Sequence, residues 1–248
     1  MPTMQTSDDA GRRFNRTLAL GALVALVAAP GAAAQDTLPT VDRILARYVE
    51  AAGGQEAIAR LHTRVTRGSF VEDVPSEGPA TATRFEARSR VPGMLLLEWC
   101  FPGKIDRTGS DGSVGWETRG DTVRCSDGIV RSKEAFVFDP QAPLRIGEYF
   151  GDLAVSGTVR VGGREAYEVT TDRRDAHFAL YFDVETGLLV RIGFYWDLGD
   201  YREVDGVMIP FRITQSRKGG SSAYVVHGVE HNVPLDMSEF AMPGEGSF

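Results

Sequence analysis

The sequence predicts a mainly β domain of neighbouring antiparallel strands with a small helical complement, an α+β chain by class. From Thr63 onward apolar residues alternate with period two over most segments. Turn-forming pairs such as Asp111-Gly112, Gly162-Gly163, Asp205-Gly206 and Gly219-Gly220 recur between them, where glycine accepts positive φ without steric cost. The segments also follow one another closely, which favours meander pairing, because parallel strands need crossovers of about a dozen residues or more.

The elements follow in order. Residues 1–34 read as a secretory signal peptide: Arg12, Arg13 and Arg16 precede the apolar run Leu18 to Pro30, and Ala32-Ala33-Ala34 supplies small residues for cleavage before Gln35. The apolar run falls short of the roughly 20 residues that span a bilayer. Arg12-Arg13 is ordinary for a basic leader and a weak twin-arginine signal. No cysteine follows the small residues to carry a lipid. Cleavage removes three basic and two acidic residues, taking the formal charge from −7 to −8. That balance disfavours nucleic acid and anionic surfaces as partners. The expected exported chain, 35–248, suits one β-rich domain, large enough to bury about 70 % of its unfolded surface. The expected location is the periplasm.

Thr40 is an expected N-cap, and Val41, Ile44, Leu45, Tyr48, Val49 and Ala52 recur on one helical face. Gly53-Gly54 ends that helix, and a short second one occupies 55–61. Strand-like segments fall near 63–73, 79–89, 94–101, 104–109, 113–119 and 122–126. Pro140 and Pro143 interrupt 131–150, which reads as short helices. Strands resume near 153–161, 164–171, 177–183, 187–196, 199–204, 207–216 and 222–232, before a last helical turn near 236–240.

Four strand faces are apolar. In 94–101 one face carries Leu95, Leu97, Trp99 and Phe101; in 187–196 it carries Leu188, Val190, Ile192, Phe194 and Trp196. Phe178, Leu180 and Phe182 form a third row, and Ile209, Phe211 and Ile213 a fourth. The rows make either an ordinary packed core or the wall of a cavity partly covered by the short helices. On the second reading Leu95, Leu97, Trp99, Phe178, Leu180, Val190, Ile192 and Phe194 line the ligand site.

Short motifs then point to a family. Arg90-Val91-Pro92, a second proline at Pro102, and Asp111-Gly112 followed by Trp116 form an R-x-P strand and a D-G-x-x-x-W hairpin in series. Phe182-Asp183-x-Glu185-Thr186-Gly187-Leu188-Leu189, Tyr201-x-x-Val204-Asp205-Gly206-x-x-Ile209-Pro210, and Val41-Asp42-x-Ile44-Leu45 leading to Ala52-Gly53-Gly54 add to it. In these the chain resembles the LolA/LolB-like superfamily of periplasmic lipoprotein carriers. The resemblance implies an incomplete antiparallel β-barrel of about eleven strands, covered by helices over a hydrophobic cavity. It also implies shelter for lipid or lipoprotein acyl chains, with a membrane-associated donor or acceptor protein as partner. Leaving a fourteen-carbon chain in water would forgo roughly 10 kcal/mol at about 0.8 kcal/mol per methylene. For the strand arginine that latches the carrier, Arg64 and Arg67 match by region, solvated arginines being the plainer reading. The protruding leucine of the outer-membrane acceptor has no counterpart here.

Signatures of catalysis are missing: there is no H-E-x-x-H, G-x-S-x-G or phosphate loop, so neither an enzyme nor a cofactor is expected. His62, His177, His227 and His231 read as surface residues. His227 and His231 share one strand face about 13 Å apart, too far to share a metal. Asp36, Asp42, Glu50, Glu56, Asp172, Asp175, Asp183 and Glu185 read as solvated charge. Cys100 and Cys125 are either a disulfide or two separate thiols.

Overall fold

A computed structural model describes residues 38–73, 79–119, 122–126, 132–171 and 178–244. The expected signal peptide, His177 and the acidic run 172–175 lie outside the described residues. Thirteen strands form one antiparallel sheet: β1 Thr63–Asp73, β2 Thr81–Arg90, β3 Met94–Phe101, β4 Lys104–Asp111, β5 Gly115–Arg119, β6 Thr122–Cys125, β7 Leu153–Val161, β8 Arg164–Thr171, β9 Ala179–Asp183, β10 Leu189–Ile192, β11 Trp196–Val204, β12 Val207–Arg217 and β13 Gly220–His231. Their order is β6-β5-β4-β3-β2-β1-β13-β12-β11-β10-β9-β8-β7. Two meanders are therefore joined where the first and last strands pair. β6 and β7 form the two free edges, so the barrel is open, as expected, with thirteen strands rather than about eleven.

The chain between those edges carries α3 Lys133–Phe138, a 3-10 turn Ala142–Leu144 and α4 Ile146–Phe150. Ser132 caps α3 by accepting from the Ala135 amide at 3.0 Å. These helices lie over the concave face with α1 Val41–Ala51 and α2 Gln55–Ala59. Thr40 caps α1 as expected, and Ile44 and Tyr48 are buried. A Cβ on Gly53 would lie 2.2 Å from the Gly206 carbonyl, so this turn seats against the Asp205-Gly206 turn only because it is glycine. The Met208 amide donates to the Ala52 carbonyl beside it, at 3.0 Å. Two of the motifs thus exist to dock against each other.

The convex face carries its own cluster of Leu96, Trp116 and Phe240. Trp116 lies flat over Gly109, where an added Cβ would meet its ring at 2.3 Å, and its Nε1 donates to the Phe240 carbonyl at 3.1 Å. The tryptophan of the D-G-x-x-x-W hairpin therefore fastens the C-terminal segment outside the barrel.

Three expectations need correction. Residues 187–196 are not one strand: the register shifts between Leu189 and Arg191, and Gly193–Tyr195 form a turn in which Gly193 has φ 60°. Asp183 is not solvated but 2 % exposed. Burial acts to raise its carboxyl, yet bidentate bonding from Arg164 and bonds from the Thr186 amide and hydroxyl hold it below the usual range. His227 and His231 do not share a face, because a bulge opposite Arg67/Gly68 leaves His227 exposed and turns His231 inward. Of the two readings of Cys100 and Cys125, the structure holds the separate thiols. Cys125 lies in the cross-strand row of Trp116, Gly109 and Leu96, so it stands three strands from β3, about 14 Å at standard spacing, against a limit of about 7 Å for a disulfide.

Candidate apolar binding site beneath the helical lid

Cross-strand register defines the inner face. Arg64 is aligned with Ser89 and Leu95, Thr66 with Ala87 and Leu97, and Gly68 with Phe85 and Trp99. From the other half, Leu180, Phe182, Ile192, Trp196, Ile209, Phe211, Ile213 and Tyr224 join the same cluster. Against it packs α3, whose Ala135, Phe136, Val137 and Phe138 are all buried. Phe136 meets Tyr149 and Phe150 with centroids at 5.4 and 4.8 Å; Phe138 meets Tyr224 at 5.6 Å and Phe85 at 6.0 Å. A helical turn apolar on every side, as these four residues are, is stable only while covered on both faces.

The residues expected to line a ligand site are distributed as follows. Leu95, Leu97, Leu180 and Ile192 are buried in the inner cluster, with Trp99 and Phe178 half-buried against it. Val190 packs on the other side of the sheet, with Val161, Ala166, Ala179 and Tyr181. Phe194 is 59 % exposed on the β10–β11 turn. The bulge at Val190 is the cause, since one extra residue reverses the alternation and puts Leu189 inside instead.

Polar groups fasten the lid. A helix of six residues leaves its last carbonyls without intrahelical partners. The Asp139 amide donates to the Ala135 and Phe136 carbonyls, at 3.1 and 3.2 Å. Arg64 Nη2 donates to the Val137 carbonyl, and Ser89 Oγ to the Phe138 carbonyl at 2.6 Å. Gln141 Nε2 donates to the Ala59 and Leu61 carbonyls, both at 3.0 Å, which ties the lid to α2. Asp139 accepts from the Tyr149 hydroxyl at 2.8 Å and from Arg145 Nη1. Burial pushes its carboxyl up, against the opposing pull of Arg145 and the Gln141 amide. Burial likewise draws the Arg64 guanidinium down to about 10, with Asp139 working the other way. Arg64 is 3 % exposed, so the reading of it as a solvated arginine is replaced. Arg67 is the solvated one, bonded to Glu86 and Glu230 at 2.7 Å each.

Two cavities lie along the inner face, the smaller of them against the lid. One of about 30 Å³ lies among Tyr48, Arg64, Asp139, Tyr201 and Pro210, room for a water or two. The other, about 470 Å³, is an open groove where β1, β3 and β4 run beyond α3, walled by Phe70, Trp99 and Phe101 and rimmed by Glu72, Lys104 and Asp106. Region alone singled out Arg64 in the sequence; Ser89, Asp139 and Gln141 carry no sequence signal, because their role exists only once α3 crosses the sheet. Among the described residues no three His, Cys, Asp or Glu converge as a metal site, and no helix is long and apolar enough to cross a membrane.

No protein-family model and no curated protein matches the sequence. Solved structures do match. A LolA superfamily protein from Nitrosomonas europaea superposes with a TM-score of 0.55 at 13 % identity, over 82 % of this chain and 98 % of that one. An outer membrane lipoprotein-sorting protein domain from Vibrio parahaemolyticus gives 0.54 at 12 % identity, over 79 % and 97 %. With the open thirteen-stranded sheet and its helical cover, these likenesses establish that the chain has the fold of the LolA-like superfamily.

Proposed function

We propose that the chain is an exported, non-enzymatic binder or carrier of acyl-type ligands in the periplasm, with α3 and α4 lifting from the concave face to admit a hydrocarbon chain. The observation that carries this reading is a lid helix whose last four residues, Ala135 to Phe138, are apolar and buried, held at its end by Arg64 and Ser89, over an apolar face continuous with a groove of about 470 Å³. Magnitudes favour reversible exchange. Phe136, Val137 and Phe138 gain about 5–9 kcal/mol from burial against the sheet, and a fourteen-carbon chain gains about 10 kcal/mol in their place. Neither state then wins outright, as transfer requires. The likeness in fold to the Vibrio lipoprotein-sorting protein domain and the leader-like N-terminal sequence support the same reading. Lipoprotein acyl chains and a membrane-associated donor or acceptor are the partners this reading implies.

A second reading, an interaction or sensor module with a packed interior, draws support from the small size, about 30 Å³, of the void beside the lid and from the complete burial of Phe85, Phe136 and Phe182. Mass spectrometry of lipids extracted from protein purified out of the periplasm separates the two. Co-purifying acyl lipids are expected. Repeated gentle preparations free of lipid, together with no uptake of added palmitate, would end the carrier reading.

A further inference from the structure

Lys133 opens α3, and its position is unusual for a lysine. Its Nζ sits 5.3 Å from the Phe178 ring centroid and 5.8 Å from that of Trp196. It approaches Gly193 so closely that a Cβ there would stand 3.7 Å away. Half-buried, it forms no ion pair and donates no hydrogen bond among the described residues. Glu134, its neighbour on α3, is the carboxylate that acts on it electrostatically, outweighed by burial, which pulls the ammonium below its ordinary range. Ring faces attract a cation but satisfy none of its three N–H donors.

From this cation an aromatic row runs beneath the lid. Trp196 and Tyr224 have centroids 6.2 Å apart, Tyr224 and Phe70 4.8 Å, and Phe70 and Trp99 6.4 Å. The row ends in the groove walled by Phe70, Trp99 and Phe101. At its beginning Phe178 stacks on Phe150, and Phe194 and Tyr195 stand 59 % and 54 % exposed beside Gly193. An apolar track with a donor-rich cation at one end, and room at the other, matches the two ends of an amphiphile.

We infer that Lys133 receives the anionic headgroup, carboxylate or phosphate, of a single-chain amphiphile whose tail lies along the row from Trp196 to Trp99. The inference rests on the carrier reading above and narrows its ligand to an anionic amphiphile. Because Trp99 and Trp196 belong to the track, their fluorescence reports occupancy. Titration of the full exported chain with palmitate, monopalmitoyl lysophosphatidate and hexadecanol then tests headgroup and tail separately. At least one anion is expected to bind about tenfold more tightly than hexadecanol, the size of one charge-assisted hydrogen bond. Whichever anion leads identifies the carboxylate or the phosphate source. K133Q should bring the anion-to-alcohol ratio toward one, and K133R should keep it, which guards against loss through misfolding. Equal binding of all three, or a ratio unchanged in K133Q, overturns the headgroup assignment alone. If none of the three binds, the carrier reading falls with it.

Discussion

Arg64 is buried to 3 % exposure, with one nitrogen bonded to the lid and its Nε without a partner among the described residues. Its cross-strand neighbour His231 repeats the pattern: Nδ1 bonds Asp205 at 2.9 Å, and the buried Nε2 has no partner among the described residues. Such groups cost solvation and return little global stability, so the value of Arg64 lies in where it holds the lid. Arg64→Leu is expected to speed amide exchange in α3 about tenfold or more while shifting the melting temperature little, because lost bonding is offset by relief of a buried charge. Unchanged exchange in α3 would remove Arg64 from the latch. His231 yields a pH dependence. Burial lowers its pKa from 6.5, as does Arg64, while Asp205 partly opposes them. The unfolded chain therefore takes up the proton first, and stability falls as pH drops below about 6.5. Urea denaturation at pH 7.5 and 5.0 should show this loss, and His231→Gln should flatten it. An equal slope in the variant would assign the effect elsewhere.

At the scale of elements, β10 shows how one inserted residue redistributes a face. Strict alternation places Val190, Ile192 and Phe194 together, whereas the bulge and the Gly193 turn leave only Ile192 of these in the inner cluster. Ile192→Ala is expected to cost about 2–4 kcal/mol, and Phe194→Ala to stay within about 0.5 kcal/mol. Comparable losses for both in chemical denaturation would refute this register. The other rows read correctly because nothing interrupts them: Leu95, Leu97, Leu180, Ile209, Phe211 and Ile213 all face inward with unbroken period two. Helix ends were equally readable, Thr40 acting through its own side chain and Gly53 through a contact only glycine admits.

At the scale of the molecule, two meanders joined through β1 and β13 make one open sheet of thirteen strands among the described residues. Fourteen lid and linker residues from Lys133 to Ile146 cross it, anchored at the α3 carbonyls and at α2. Local sequence determined the mainly antiparallel fold, the helical pair before it, the short helices in its middle and the turn motifs. Each of these depends on neighbours within a few positions, through side-chain period, capping and glycine conformation. Tertiary structure alone decided the burial of Arg64 and His231, the partnership of Ser89 and Gln141 with the lid, the separation of Cys100 from Cys125, and the aromatic row ending at Lys133. Those rest on strand register and on a helix laid across the sheet, and groups dozens of residues apart meet only once pairing has set their distance.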